Sequence, residues 1–178
     1  MAVLPIITAP HPVLAHPARA VRDEEFGEAL STLVGDMTET MYDAPGVGLA
    51  APQVHDPRRI LVIDSCASDE PGQRLFTMVN PTIVERSAET IPWRETCLSV
   101  PGFDIEVQRS QKIRVTWRNP LDGETKEAWF EDYESVIVQH EMDHLEGTIL
   151  LDRASHFKRS RYLKRVSKAR RNTQEAVL

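Results

Sequence analysis

The feature that most constrains this chain is the run His140-Glu141-Met142-Asp143-His144. Two histidines four positions apart lie on one face of a helix, one turn apart, so both imidazoles can reach a single metal ion. Glu141 lies beside them and can take a proton from a water molecule on that metal. The pattern H-E-x-x-H therefore predicts a metalloenzyme. The alternative is an amphipathic surface helix with two solvated histidines.

The residues before the histidines favour a buried helix. The apolar run 136–138 leads directly into His140, as expected for a helix that enters the core. We expect Asp132 to cap the start of this helix and Gly147 to end it in a left-handed conformation. Catalytic metal sites usually have three protein ligands and an open position, so a third ligand must come from elsewhere in the chain.

The position of the third ligand distinguishes between classes of enzyme. A glycine follows the second histidine by three residues, as in the H-E-x-x-H-x-x-G-x-x-H metalloproteases, but Leu150 stands where those enzymes have their third histidine. Residues 153–178 contain one carboxylate, Glu175, in a basic segment. A ligand from the upstream part of the chain is therefore expected.

Two cysteines are the upstream candidates. Cys66 follows the apolar run 60–63, where an ordinary small residue at a strand end is expected. Cys97 lies in a short extended piece bounded by turns, from which a thiolate could reach the metal. Spacing alone leaves open whether Cys97 completes a Cys-His-His site. A chain with two cysteines, one of them near a metal, is expected to have no disulfide and to occupy a reducing compartment, the cytoplasm.

A third motif, G-V-G-L-A-A-P-Q, spans residues 46–53. Its G-x-G-x-x-A spacing is that of a dinucleotide-binding fingerprint, but a helical pattern precedes it where that fingerprint needs a strand. The next predicted strand also follows too soon for a crossover helix. Small residues here instead predict a backbone that lies close to a ligand, with Gln53 as a polar group at the edge of a cleft.

Together, G-V-G-L-A-A-P-Q, E-T-C-L-S and Q-H-E-M-D-H-L-E-G resemble the three ordered motifs of peptide deformylases. These enzymes remove the formyl group from the initiator methionine of new bacterial proteins, and the similarity runs over about residues 4–150. The resemblance implies that Cys97, His140 and His144 bind one divalent metal ion, with water in the fourth position. Fe(II) is the expected metal, and Zn, Ni or Co could occupy the same site.

The resemblance also implies roles for other residues. Glu141 would act as general base and then as general acid, while the side-chain amide of Gln53 and the backbone N–H of Leu98 would stabilise the oxyanion. Glu95 and Arg109 resemble a supporting ion pair behind the metal loop. The implied substrate-binding residues, which line the groove or form the methionine pocket, are Val47, Gly48, Val136 and Ile137.

One position departs from the family pattern: Thr96 stands where the second motif usually has glycine. A β-branched residue narrows the groove, so the chain is either a tolerated variant with ordinary activity or a paralogous metal-dependent amidase or peptidase with an altered substrate. A third hypothesis is a non-enzymatic ribosome or RNA binder with a structural metal. It is the weakest, because structural sites have four protein ligands and Glu141 would have no task.

A chain of 178 residues is expected to form one folded core. We predict an α+β fold with antiparallel β-sheets around a central metal-binding helix, followed by a C-terminal helix. Residues 1–152 would be a single catalytic metallohydrolase domain and residues 153–178 a basic C-terminal helix or tail. A helix is predicted near 23–42, and the predicted strands are 59–64, 76–84, 104–108, 112–118 and 126–130.

The charge of the basic tail is opposite to that of the chain as a whole, whose net charge is −6. Residues 153–171 contain nine Lys or Arg and no acid. They predict either a solvated helix or a contact with ribosomal RNA near the exit of nascent chains. The expected substrates are N-formyl-methionyl nascent peptides. We expect a monomer, without a membrane span or a secretory signal.

Overall fold

Within residues 2–175, which the computed structural model describes, the chain forms three α-helices and seven β-strands. The helices are α1 (Glu28–Asp43), α2 (Asp132–Leu145) and α3 (His156–Glu175). The strands are β1 (Gly48–Ala50), β2 (Ile60–Asp64), β3 (Leu75–Arg86), β4 (Thr90–Thr96), β5 (Asp104–Ser110), β6 (Lys112–Arg118) and β7 (Thr125–Glu131).

The strands form two antiparallel sheets. Five of them pair in the order β1-β2-β3-β6-β7, and β4 pairs with β5 in a separate two-stranded sheet. Helix α2 contacts β1, β2, β6 and β7 of the five-stranded sheet and β5 of the two-stranded sheet, so it is the element that joins the sheets. This arrangement confirms the predicted α+β fold with antiparallel sheets around a central helix.

The burial of the strands follows their sequence patterns. In β6, Ile113, Val115 and Trp117 are buried, and the residues between them are partly exposed, as expected for a sheet with one face on the core. All five residues of β2 are buried, in agreement with its continuous apolar run. Buried residues of β2 and β6 pack in one core cluster with Ile137, Val138 and Leu145 of α2.

Helix α1 begins five residues later than predicted. Asp23–Glu25 form a separate 3-10 turn, and Gly27, at φ +130°, separates that turn from α1. A φ in this range is readily adopted only by glycine, so the chain changes direction there. From this point the buried residues recur at helical spacing, with Leu30 and Val34 on the face that packs against β1 and β2.

The two ends of α2 differ in how far they follow the prediction. Gly147 has φ +71° and ends the helix, with its N–H bonded to His144 O at 3.1 Å and Thr148 N–H bonded to Asp143 O at 2.9 Å. The predicted cap at Asp132 is wrong. That residue is already the first of the helix, and its carboxylate accepts a hydrogen bond from the Gln111 side-chain amide at 2.9 Å.

Strand β4 was predicted only as a short extended piece around Cys97. Its sequence carries Pro92 and several polar residues, which weaken the strand signal, but it pairs with β5 from Thr90↔Ser110 to Thr96↔Asp104. Proline is tolerated because β4 has a neighbour on one side. Strand β4 leads directly into the segment that carries Cys97.

Helix α3 packs one side against the protein. Tyr162 is 3% exposed and belongs to the same buried cluster as Cys97, Val100 and Leu151. The division into a catalytic domain ending at 152 and a tail stays a prediction, and residues 176–178 of that tail lie outside the described residues. None of the helices described in residues 2–175 is both long enough and apolar enough to span a membrane.

Candidate metal centre and active-site cleft

The three predicted ligands lie together. One ligand atom from each of Cys97, His140 and His144 lies within 4.8 Å of those of the other two, and Cys97 Sγ is 3.2 Å from His144 Nε2. His140 and His144 are one turn apart on α2, while Cys97 comes from the segment after β4. All three side chains are nearly buried, at 8%, 9% and 1% exposure for Cys97, His140 and His144.

Glu95 fixes the orientation of one imidazole. Its Oε2 lies 2.7 Å from His140 Nδ1, which leaves Nε2 of that ring free to face the other ligand atoms. Arg109 donates two hydrogen bonds to Glu95, from Nε at 2.6 Å and from Nη2 at 2.9 Å. Burial opposes ionisation, but the hydrogen bonds from Arg109 and His140 outweigh it and lower the pKa of Glu95 to about 2.

Besides the predicted pair with Glu95, Arg109 forms a second ion pair that the sequence did not predict. Arg109 Nη1 donates to Asp143 Oδ2 at 2.8 Å, and Arg153 donates to both oxygens of Asp143 at 2.6 Å. Asp143 lies three residues after His140 on α2, so it points to a neighbouring face of the helix. The predicted ion pair of Glu95 and Arg109 is therefore the buried centre of a longer chain of charges.

Glu141 lies against the glycine motif. Its side chain is 4% exposed, and a Cβ atom built on Gly48 would come within 2.5 Å of Glu141 Oε1. The small residues of this motif predicted that a ligand approaches the backbone closely. At Gly48 the group that approaches is the carboxylate of Glu141. Burial raises the pKa of Glu141 to about 7, a value suited to a group that accepts and returns a proton.

Gln53 borders the cleft, as predicted, and its side chain is almost completely buried. Its Oε1 accepts a hydrogen bond from Ala50 N–H at 2.8 Å, and its Nε2 donates to Ser99 Oγ at 3.1 Å. The amide is thereby fixed with its N–H₂ group towards the Cys97 segment, 3.9 Å from Cys97 Sγ. Leu98, the next residue of that segment, is half-buried and borders the same cleft.

A cleft of about 450 Å³ opens beside these residues. Its walls come from the glycine motif, from β4 with the Cys97 segment, and from one face of α2. All the predicted substrate-binding residues border it, and they are Val47, Gly48, Val136 and Ile137. The same cleft is bordered by His140 and Glu141, so the substrate-binding and catalytic candidates share one space.

Two aromatic residues of the cleft were missed by the sequence reasoning. Trp93 and Tyr133 stack with ring centroids 5.1 Å apart and planes at 26°. Spacing gives only the position of each on its own element: Tyr133 precedes Val136 by three residues on α2, and Trp93 shares a face of β4 with Glu95. The contact between the two rings has no signal in the sequence. They add a flat apolar wall to the cleft.

The donor set fits a divalent transition metal. A thiolate with two imidazoles suits Zn, Fe or Co, and three protein ligands leave a coordination position for substrate chemistry. Glu141 Oε2 and His144 Nδ1 are buried and have no hydrogen-bond partner among the described residues. Burial also lowers the pKa of His144 well below its usual value, which keeps the imidazole in the neutral form that binds metals.

Comparison with known proteins agrees with the geometry. The family model described as polypeptide deformylase matches residues 3–160. The chain belongs to the polypeptide deformylase family. The peptide deformylase of Hyphomonas neptunium is 43% identical over 171 residues, covering 96% of this chain and 95% of the relative. The peptide deformylase of Phenylobacterium zucineum is 41% identical over 168 residues, covering 94% and 97%.

Solved deformylase structures share the fold over nearly the whole chain. The peptide deformylase of Legionella pneumophila superimposes with a TM-score of 0.86 at 35% identity, covering 97% of this chain and 98% of that one. The peptide deformylase of Ehrlichia chaffeensis gives the same TM-score at 34% identity, covering 97% and 99%. The three sequence motifs therefore identified the family correctly.

The departure from the deformylase pattern at Thr96 lies on the cleft wall. Thr96 is the last residue of β4, is exposed, and borders the cleft between Glu95 and Cys97. Alternation along β4 places Thr96 on the opposite face from Glu95, so its side chain does not enter the buried ion pair. The comparisons favour a deformylase over an amidase or peptidase of different specificity.

Proposed function

We propose that this deformylase hydrolyses the formyl group of N-terminal formyl-methionine in new proteins, releasing formate. The observation that carries the proposal is the position of Glu141, a buried carboxylate that borders a cleft of about 450 Å³ beside Cys97, His140 and His144. A base next to a three-ligand metal site is the arrangement that hydrolysis of an unreactive amide requires.

In this mechanism Cys97, His140 and His144 hold the metal, and Glu95 orients His140 through Nδ1. When bound, the metal supplies Lewis-acid activation of water at neutral pH. Glu141 takes the proton of the attacking water and then gives it to the departing amine. General acid–base catalysis of this kind contributes about 10²–10⁴-fold in rate.

Two donors would stabilise the charge that develops on the formyl oxygen. We assign them to the Gln53 side-chain amide and the Leu98 backbone N–H. The hydrogen bonds of Gln53 to Ala50 and Ser99 support this assignment, because a donor held in place before the reaction needs no reorganisation. Each such donor is typically worth about 3 kcal/mol of transition-state stabilisation.

The peptide would bind as an extended strand along Val47 and Gly48, with its methionine side chain against Val136 and Ile137. Strand β4 has one hydrogen-bonded neighbour among the described residues, so its other edge is available to a peptide backbone. Val136 and Ile137 are 2% and 4% exposed, and they give the pocket an apolar floor. An unbranched, polarisable methionine side chain suits such a pocket.

The test measures formate release from formyl-Met-Ala-Ser by anaerobically purified, metal-analysed protein. We expect formate release by the wild type and a loss of about 10²-fold or more in Glu141→Ala. With acetyl-Met-Ala-Ser, where cleavage is followed by the appearance of the free amine, we expect no cleavage. One bound metal with cleavage of the acetyl peptide instead would support the amidase hypothesis. Metal content equal to the wild type in Glu141→Ala shows that the variant loses chemistry and not its metal.

We further propose that the native metal is Fe(II), with Zn, Ni or Co as functional substitutes. The mixed thiolate and imidazole donor set can bind all four ions, so the ligands alone do not distinguish Fe(II) from the others. The reactivity of the bound ion does. A thiolate-bound Fe(II) site should lose activity in air, whereas the zinc form should keep its activity. If the natively loaded, anaerobically purified protein kept its activity in air, as the zinc form should, the Fe(II) assignment would be wrong.

Helix α3 carries a basic surface beside segment 102–103. A basic depression of about 570 Å³ is bordered by Gly102, Phe103 and Tyr162 and by the side chains of Lys158, Arg161, Lys164, Arg165 and Lys168. We propose that this surface attaches a monomeric, cytoplasmic enzyme to the ribosome, while residues 1–152 carry all the groups that take part in the chemistry. Phosphate contacts would make the attachment weaken with salt.

Ribosome co-sedimentation tests the attachment. The variant Lys158→Gln/Arg161→Gln/Lys164→Gln/Lys168→Gln should lose binding at low salt and show a smaller dependence of affinity on salt concentration. A quadruple replacement of exposed acidic residues by glutamine, at Glu24, Asp122, Glu124 and Glu131, serves as the matched control. Unchanged co-sedimentation of the basic variant would rule out attachment through α3.

A further inference from the structure

The segment that carries Cys97 is contacted from α3. Residues 97–103 follow β4 and precede β5, and they include Leu98 as well as the cysteine. Cys97 comes from this segment, whereas His140 and His144 are both on α2. The position of segment 97–103 relative to α2 therefore decides whether the three ligand atoms meet.

Arg165 holds the far end of this segment. Its Nη2 donates to Gly102 O at 2.8 Å and lies 3.5 Å from Pro101 O. Gly102 has φ +67°, and a Cβ atom built on it would lie 3.3 Å from the same nitrogen. The guanidinium thus bonds to backbone carbonyls at the one point of the segment where the chain turns in a left-handed conformation.

Tyr162 supports the same segment through its ring. It packs edge-on against Phe103 with ring centroids 5.5 Å apart, and the Arg165 guanidinium lies 5.1 Å from the centre of the tyrosine ring. Tyr162 shares a buried cluster with Cys97 and Val100. Its hydroxyl is buried without a partner among the described residues, so the ring rather than the hydroxyl supplies the support.

We propose that Tyr162 and Arg165 of α3 are positioning residues of the metal centre, which hold segment 97–103 so that Cys97 reaches the two histidines. The inference rests on the proposed role of Cys97 as a ligand. It gives the buried Tyr162 and the exposed Arg165 a task separate from ribosome attachment by the neighbouring basic side chains of α3. Loss of this support should speed the release of the metal, because residues behind a ligand typically change metal affinity about 10–100-fold.

The experiment measures how fast the zinc-loaded full chain transfers zinc to a chromogenic chelator. Arg165→Gln and Tyr162→Ala should release zinc about tenfold faster than the wild type. Tyr162→Phe should behave as the wild type, because it keeps the ring. Arg171→Gln, which removes an exposed arginine farther along the same helix, is the matched control and should leave the rate unchanged.

Cobalt spectroscopy separates a failure of this proposal from a failure of the proposed metal site. In cobalt-loaded wild type, a thiolate-to-cobalt absorption band that Cys97→Ser abolishes establishes Cys97 as a ligand. If that band is present and folded Arg165→Gln and Tyr162→Ala release zinc at the wild-type rate, the positioning proposal is wrong. If Tyr162→Ala does not fold, Arg165→Gln alone decides. If the band is absent, the ligand assignment itself fails.

Discussion

The Glu141 carboxylate lies so close to the Gly48 backbone that only glycine fits at position 48. A Cβ atom on Gly48 would lie 2.5 Å from Glu141 Oε1 and 2.9 Å from its Cδ. Glu141 lies between His140 and His144 in sequence and is 4% exposed, so its side chain has little freedom to move aside. Gly48 of the glycine motif therefore helps to set the position of the proposed general base, Glu141.

Gly48→Ala should lower kcat for formate release without removing the metal. A displacement of the base by about 1 Å can cost about 10²-fold in rate. The measurement is kcat and KM on formyl-Met-Ala-Ser, together with metal content. A double-mutant comparison identifies the cause. In a Glu141→Ala background the added Gly48→Ala should cost nothing further, and a second full loss there would show that Gly48 acts through another residue.

Glu95→Gln should destabilise the protein and weaken its hold on zinc. The substitution leaves the Arg109 guanidinium, which is 4% exposed, without its bidentate partner, and breaking a buried pair typically costs about 3–5 kcal/mol. It also leaves one neutral amide oxygen where two carboxylate oxygens accept from Arg109 and face His140 Nδ1. Urea unfolding of the metal-free protein and competition with a zinc chelator measure the two effects separately.

Asp104→Asn is the matched control for this substitution. Asp104 pairs with Arg94 across the same two strands, β4 and β5, but the Arg94 and Asp104 side chains are 77% and 42% exposed. An exposed pair contributes at most about 1 kcal/mol. If Glu95→Gln lost no more stability than Asp104→Asn, the buried network would not be what supports the metal loop.

Alkaline pH should destabilise the protein partly through Tyr42. Its hydroxyl donates to Asp64 Oδ2 at 2.7 Å, and burial, together with this hydrogen bond, raises the pKa of Tyr42 to about 12. The unfolded chain loses the proton near pH 10. Between about pH 10 and 12 the unfolded state therefore binds fewer protons than the folded state, and stability falls as pH rises.

The comparison with Tyr42→Phe isolates this contribution. The wild type should be more stable than the variant at pH 9, and the difference in urea midpoint should shrink by pH 11.5. Tyr133 and Tyr162 are present in both proteins, so their titration cancels in the difference. A difference that stayed constant over this range would show that Tyr42 titrates normally.

Features that depend on short-range spacing were predictable from the sequence. The two histidines of α2 come together because residues four apart share a helix face, and the glycine that ends α2 is identified by its position after the last helical residue. The late start of α1 at Glu28 was not predicted, because the helical pattern continues through Gly27 while the backbone does not.

Features that depend on pairing between distant residues were not predictable. Strand β4 has a weak pattern of its own and is stabilised by β5, and Arg109 meets Asp143 across 34 positions of sequence. The wall of Trp93 and Tyr133 likewise forms only when β4 and α2 pack together. Motif resemblance located the metal cluster, but the charges and rings around it required the fold.

Thr96→Gly should lower KM for formyl-Met-Ala-Ser by about threefold, because Thr96 borders the cleft. It should leave kcat nearly unchanged, because the Thr96 side chain lies on the face of β4 opposite to Glu95 and the buried ion pair. Removing its Cβ would let the peptide backbone approach β4 more closely. Thr90→Gly, at the other end of β4 and outside the cleft, should cost similar strand stability without changing KM. A large rise in kcat in Thr96→Gly would instead show that threonine limits the chemistry, as expected of an enzyme whose natural substrate is a different blocked amine.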